Sequence, residues 1–343
     1  MNATAMTILC LVSAIAQADD AAPVARADVL LVVGAEGAPE YGAPFAAWAD
    51  RWEAAAAGGN ARVTTIGRPI TPLPPREGPG EGLRVADEAD PIEPADRDRL
   101  REALAAFEEK SDAPLWIVLI GHGTFDRREA KFNLRGPDFS ADELAEWLAP
   151  IERPLAIVNC ASASGLFVEA LSRPGRVVVT ATKSGNETDF ARFGDFLSQA
   201  LLDAAADLDR DDQTSLLEAF LFASRRTAEF YEQEGRLATE HAQLDDNGDG
   251  RAVRAEDFRG VRPIAPAIED SLPDGLLAHQ WHLVLNAADV QLSNQQRQRR
   301  NELERALFRL RERKPELEEA EYLRRLEPLA VELARLYAAD GRQ

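Results

Sequence analysis

Residues 115–123 read LWIVLIGHG, an apolar run that ends at Gly121, His122 and Gly123. A continuous apolar run of this length, bounded by Pro114 and a glycine, is typical of a strand that is buried on both faces. The stretch therefore predicts a central strand of a sheet covered by helices on both sides.

Similar apolar runs recur along the chain and alternate with amphipathic patterns that predict helices. One helix start is marked by Ser140 and Glu143, the spacing of a capping box. Strands that alternate with helices predict an α/β fold with a mostly parallel sheet sandwiched by helices. The other expected strands are Asp28–Gly34, Ala61–Ile66, Pro154–Asn159 and Arg176–Thr182.

Composition limits the partners of the protein. Of its 343 residues, 59 are acidic and 39 basic, which gives a formal charge of −20. Such a surface repels phosphate backbones and anionic lipid but suits cations such as Ca²⁺. Two cysteines are too few for a disulfide scaffold or a four-cysteine zinc site.

The N-terminus predicts export. Residues 5–16 form an apolar run too short to span a bilayer, and A-x-A cleavage motifs follow at residues 14–18. We expect residues 1–18 to be a signal peptide of a periplasmic or extracellular protein, and no other stretch predicts a membrane span. Its removal leaves Cys160 as the one thiol.

Two predicted strands end in chemically capable residues, His122 and Cys160. If these strands are neighbours about 4.8 Å apart, both side chains lie at one sheet edge, within reach of the same carbonyl group. A thiol needs a base such as imidazole to act as a nucleophile, and the Gly123 and Cys160 amides would hold the oxyanion. The alternatives are a buried, inert cysteine and a structural histidine in a turn.

The blocks around these residues resemble the caspase–legumain group of cysteine peptidases, most closely its bacterial legumain-like branch. They are LLVVGAEGAPEY, LWIVLIGHG, LAIVNCASASG and VVVTATKSGNETDF. The resemblance implies a caspase-like peptidase domain at 19–285 with a His122/Cys160 dyad and Gly123 as an oxyanion donor. It further implies an endopeptidase acting on a peptide or protein substrate through a thioester, with transpeptidation as a variation.

The specificity motifs of the group are not matched. Gly42 and Val158 stand where legumain has its asparagine-selecting residues, and the caspase Q-A-C motif is missing. We expect the loop at 182–189 to line the primary pocket through Ser184, Glu187 and Asp189. Its two carboxylates would favour a basic side chain there; the alternative is that they are ordinary exposed loop charges.

Two acidic loops have the ligand spacing of an EF-hand, residues 207–218 and 245–256. The first has Asp212 where glycine normally permits the turn, and asparagine or aspartate tolerates positive φ better than most residues. We expect structural Ca²⁺ at both loops; the alternative is acidic turns without metal. The expected ligands are Asp207, Asp209, Asp211, Gln213 and Glu218 in the first loop, and Asp245, Asn247, Asp249, Arg251 and Glu256 in the second.

Residues 286–343 form a separate C-terminal region with two leucine-rich amphipathic patterns. They predict a helical hairpin that packs on the domain or self-associates; a partner-binding arm is the alternative. His241, His279 and His282 match no metal signature and are expected to be ordinary structural histidines. The rival to a peptidase is a catalytically inactive Ca²⁺-binding interaction module on the same scaffold.

Overall fold

The computed structural model describes residues 26–68, 95–108, 111–264 and 272–338. The expected signal peptide at 1–18 lies outside the described residues.

The strands and helices are numbered in chain order. The strands are β1 (Asp28–Val33), β2 (Arg62–Ile66), β3 (Leu115–Ile120), β4 (Gly123–Phe125), β5 (Ala130–Phe132), β6 (Phe139–Ser140), β7 (Leu155–Asn159), β8 (Arg176–Thr180), β9 (Gln243–Asp245), β10 (Phe258–Arg259) and β11 (Arg262–Pro263). The helices are α1 (Pro39–Gly58), α2 (Asp96–Ala106), α3 (Ala141–Trp147), α4 (Phe167–Leu171), α5 (Phe193–Ala200), α6 (Leu216–Gln233), α7 (Ala287–Gln291), α8 (Asn294–Glu312) and α9 (Glu319–Ala338).

Strand β3 lies inside a six-stranded sheet of order β2-β1-β3-β7-β8-β9. The first five strands are parallel, and β9 runs antiparallel to β8 at the edge. Helices cover both faces of this sheet. The prediction of a mostly parallel α/β sheet between helices is therefore confirmed.

The pleat of each central strand sends alternate residues into two separate cores. Trp116, Val118 and Ile120 of β3 belong to the core that packs against α1, α5 and α6. The residues between them belong to the core under α2, α3 and α4. Because both faces are buried, the strands are apolar throughout, as the sequence indicates.

The expected capping box is present, since Ser140 and Glu143 form it at the start of α3. The C-terminal region contains two long helices in contact, α8 and α9, which are joined through a short 3₁₀ turn at Lys314–Glu316. Among the described residues, no helix is long and apolar enough to cross a bilayer.

A buried ion pair joins the start of β1 to the approach to β7. Asp28 accepts hydrogen bonds from Arg153 Nη2 at 2.6 Å and from Arg62 Nε at 2.7 Å. Arg153 also donates to the carbonyl oxygen of Ala113, at 2.7 Å. The Asp28 and Arg153 side chains are almost fully buried, so the charge of each is compensated mainly by the other.

We expect Asp28→Ala to reduce the free energy of unfolding by about 3–5 kcal/mol, because it leaves the Arg153 guanidinium buried without its carboxylate. Urea denaturation measures the loss. Asp50→Ala is the matched control, since Asp50 pairs with Arg68 at the surface, and it should cost at most about 1 kcal/mol. Equal losses in the two variants would contradict this role for Asp28.

Candidate functional site

The register between β3 and β7 sets the depth of Cys160. Leu119 lies opposite Asn159, and the Cys160 N–H donates to the Leu119 carbonyl oxygen at 2.9 Å. Continuing that register places Cys160 beside Ile120, two residues before His122. Two strand residues span about 6–7 Å, so the thiol lies deeper along the sheet than the imidazole.

Cys160 is part of the packed core and does not project from the sheet edge. Only 1% of the residue is exposed, and it belongs to the same core cluster as Val158. Gly194, at the start of α5, lies so close that a Cβ added there would be 2.6 Å from the Cys160 Cβ and 2.7 Å from the Trp48 ring. Burial raises the pKa of the Cys160 thiol to about 12, and the negative charge of Glu240 adds to the shift.

The two expected oxyanion donors already have partners. The Gly123 N–H donates to Ser162 Oγ at 3.2 Å, and that hydroxyl donates back to the Gly123 carbonyl oxygen at 3.2 Å. The Cys160 N–H is held in the sheet by Leu119. In this structure the sulfur is buried and both amides are hydrogen-bonded within the fold, and their role toward a substrate stays a prediction. The sequence did not single out Ser162.

His122 lies at the carboxyl end of β3, where sheet topology predicts ligands to bind. Its ring is half-buried against Tyr41, Phe45 and Phe190, with ring centroids 4.7–5.9 Å away. Nε2 donates to the Glu36 carbonyl oxygen at 3.1 Å. Burial lowers the pKa of His122, and the hydrogen bond to Glu36 opposes that shift. Burial therefore favours the neutral form of the imidazole.

The expected substrate loop is held together largely by Glu187. Its carboxylate accepts hydrogen bonds from the Lys183 N–H at 2.9 Å and the His241 N–H at 3.1 Å, and it contacts His241 Nδ1 at 2.5 Å. Glu187 therefore joins the loop to His241, and the substrate-binding role of Ser184, Glu187 and Asp189 stays a prediction. Ser184 Oγ accepts from the Asn186 N–H, and Asp189 is exposed.

The first acidic loop brings its expected carboxylates together. Asp207, Asp209 and Asp211 each offer an oxygen within 4.8 Å of the others. Glu218, almost fully buried, accepts hydrogen bonds from the Leu208 and Asp209 N–H groups, so its carboxylate reaches back over the loop. These four groups are hard oxygen donors in the order of an EF-hand.

The backbone of this loop also turns as an EF-hand requires. Arg210 and Asp212, at positions four and six, have φ of 64° and 66°. Asp207 accepts hydrogen bonds from the N–H groups of both, at 2.7 Å and 3.0 Å. Asp212 therefore adopts the left-handed conformation that glycine usually supplies at this position.

Asp211 of the first loop lies close to other carboxylates and is partly buried. Burial raises the pKa of Asp211, and the negative charges of Asp209 and Glu218 raise it further, against hydrogen bonds from Gln213 that lower it. His279 Nε2 lies 3.0 Å from Asp209 Oδ2. This histidine, expected to be unremarkable, is therefore a direct neighbour of the loop.

The second loop, residues 245–256, has the same backbone turns, but its expected ligands do not converge. Gly248 and Gly250 have φ of 82° and 74°, matching positions four and six of the first loop. Glu256, however, is 60% exposed and pairs with Arg254 at 2.7 Å, away from the loop. In the described part of the chain, its acidic side chains form no cluster of the kind seen at 207–218.

The remaining expected ligands of the second loop serve local structure. Asp245 accepts two hydrogen bonds from Ser172 Oγ, at 3.0 Å and 3.1 Å. Asn247 and Asp249 accept from backbone N–H groups within the loop, the latter from Arg251. A strand precedes this loop and a single 3₁₀ turn follows it, so the loop does not lie between two helices as an EF-hand loop does.

No protein-family model matches the chain, and a comparison with curated proteins gives no match. Solved structures to which it is similar include caspase-1 from Spodoptera frugiperda, at 11% identity and a TM-score of 0.38, over 65% of this chain and 86% of that one. Another is the Drosophila initiator caspase Dronc, at 14% identity and a TM-score of 0.38, over 66% of this chain and 82% of that one. Similarity at this level says nothing about the residues of the site.

Proposed function

We propose that this chain is a calcium-binding α/β module whose working site is the loop 207–218. The observation that carries the proposal is the convergence of Asp207, Asp209 and Asp211, with oxygens within 4.8 Å of one another. Glu218 supplies the closing carboxylate at position twelve, and the Gln213 carbonyl is the candidate ligand at position seven.

Calcium fits this donor set better than other common ions. Carboxylate and carbonyl oxygens are the ligands of hard cations, and Ca²⁺ accepts the six to eight oxygens that a flexible loop provides. A divalent cation would also offset the burial and, after it, the carboxylate repulsion that raise the pKa of Asp211. We expect a structural role for the ion. Residues 1–18 predict that the chain is exported, and extracellular Ca²⁺ is concentrated enough to saturate weak sites.

Calcium is expected to raise the melting temperature of the wild-type protein, and Glu218→Gln is expected to abolish the rise. Glutamine keeps the capping box with Ser215 but cannot bind an ion through two carboxylate oxygens. At free calcium about 100 times the dissociation constant, linkage adds about 2.7 kcal/mol to the stability of the wild type. Thermal unfolding in calcium and in chelator measures the difference.

Glu256→Gln is the matched control, because it is the same substitution at the same position of the unassembled loop. It should retain the full calcium-dependent rise in melting temperature. A rise that persists in Glu218→Gln, or that disappears in Glu256→Gln, would overturn the assignment to residues 207–218.

The second candidate is a cysteine endopeptidase that uses His122 and Cys160. The observation that favours it is His122 itself, a partly buried imidazole at the carboxyl edge of a parallel sheet, whose pKa is lowered by burial. Attack by Cys160 on a peptide carbonyl, with transfer of the thiol proton to His122, would form a thioester and break the C–N bond. His122 would pass that proton to the leaving amine, and water or another amine would then release the acyl group and restore the thiol. This candidate ranks second because Cys160 is only 1% exposed and Gly194 of α5 packs against its Cβ.

Cys160 in the folded protein is expected to react slowly with iodoacetamide. A pKa of about 12 instead of 9.0 leaves about a thousandfold less thiolate at pH 8, and burial restricts access further. Mass spectrometry of the Cys160 peptide measures the rate, with the urea-unfolded protein as the reference.

His122→Ala separates the two candidates. For a core cysteine, this substitution leaves the slow labelling rate unchanged. Fast labelling of the folded protein that falls in His122→Ala would instead support the peptidase and contradict a purely structural Cys160.

A further inference from the structure

The segment that leads into the C-terminal helices contacts the loop 207–218 directly. Asn286 Nδ2 donates to the Asp211 carbonyl oxygen at 2.8 Å, and the Asn286 N–H donates to Gln213 Oε1 at 3.1 Å. Asn286 is also the N-cap of α7, where its Oδ1 accepts from the Asp289 N–H at 2.8 Å. One residue therefore joins positions five and seven of the loop to the start of a helix.

Gln213 continues this connection with its side chain. Its Nε2 donates to Asp211 Oδ2 at 3.0 Å and to Asp289 Oδ2 at 3.3 Å, while its Oε1 accepts from Asn286. The side chain is buried, so these hydrogen bonds are shielded from water. The Gln213 amide therefore links the loop to α7 through both its nitrogen and its oxygen.

A buried ion pair extends the connection to the long C-terminal helices. Asp289 pairs with Arg300 of α8, and both side chains are almost fully buried. Arg297 of α8 also donates to the Asp289 carbonyl oxygen, at 2.9 Å, and Arg299 of α8 pairs with Glu332 of α9 at 2.7 Å. Polar contacts therefore lead from the loop through α7 to α8, which is in turn paired with α9.

We infer that Asn286 is a positioning residue for the calcium loop and that, through it, calcium binding and docking of α8 and α9 stabilise each other. The inference rests on the proposed function of residues 207–218. An ion that fixes Asp211 and the Gln213 carbonyl also fixes the partners of Asn286, which favours the docked helices. By linkage, docked helices must raise calcium affinity by the same factor.

Asn286→Ser tests this coupling without removing the helix cap. A serine hydroxyl still caps α7, but it lacks the amide that reaches the Asp211 carbonyl oxygen. The matched control is Gln298→Ala, because Gln298 is an exposed residue of α8. Calcium affinity is measured by competition with a chromophoric chelator, and docking by hydrogen exchange of residues 294–312 with and without calcium.

We expect calcium to slow exchange in 294–312 of the wild type and of Gln298→Ala. Asn286→Ser should bind calcium at least about fivefold more weakly and lose most of that protection. Absence of calcium binding in the wild type would defeat the proposed function itself. Unchanged affinity in Asn286→Ser, together with undiminished protection of 294–312, would defeat only the coupling.

Discussion

The pairing register of β3 with β7 is the constraint that sets the surroundings of His122 and Cys160. It aligns Leu119 with Asn159, so Cys160 continues the face that carries Ala156 and Val158. That face is covered by α1, α5 and α6, and Gly194 packs against the Cys160 Cβ, so Cys160 is only 1% exposed. His122 lies two residues beyond the β3 partner of Cys160, at the carboxyl end of the strand.

A second constraint explains why one acidic loop is assembled and the other is not. Glu218 occupies the third position of α6, where a capping box with Ser215 turns its carboxylate toward the helix start and the loop before it. Glu256 follows the same ligand spacing but lies in a single 3₁₀ turn beside Arg254. Ligand spacing alone therefore does not bring the carboxylates together. The last carboxylate must also be oriented toward the loop, as the start of α6 does for Glu218.

The sheet and the first loop were predictable because their signals are local. The apolar run at 115–120 matches β3 residue for residue, and Ser140 with Glu143 marks the start of α3 as expected. The left-handed turn at Asp212 followed from the tolerance of aspartate for positive φ. Each of these features is decided by residues within one turn or one strand.

The depth of Cys160 was not predictable in the same way. A strand that is buried on both faces is apolar at every position, so the sequence carries no signal for which face a terminal residue joins. The contacts of Glu187 with His241 and of Asp289 with Gln213 join residues distant in the sequence, and only the folded chain reveals them. Self-association through the C-terminal helices stays a prediction.

A crystal structure of the protein grown in calcium, with anomalous diffraction data, tests the central claim most directly. The account predicts one calcium peak at residues 207–218, with oxygens of Asp207, Asp209, Asp211 and Glu218 at about 2.3–2.6 Å. It predicts no peak at residues 245–256. An ion at the second loop, or a first loop that stays empty at saturating calcium, would contradict it.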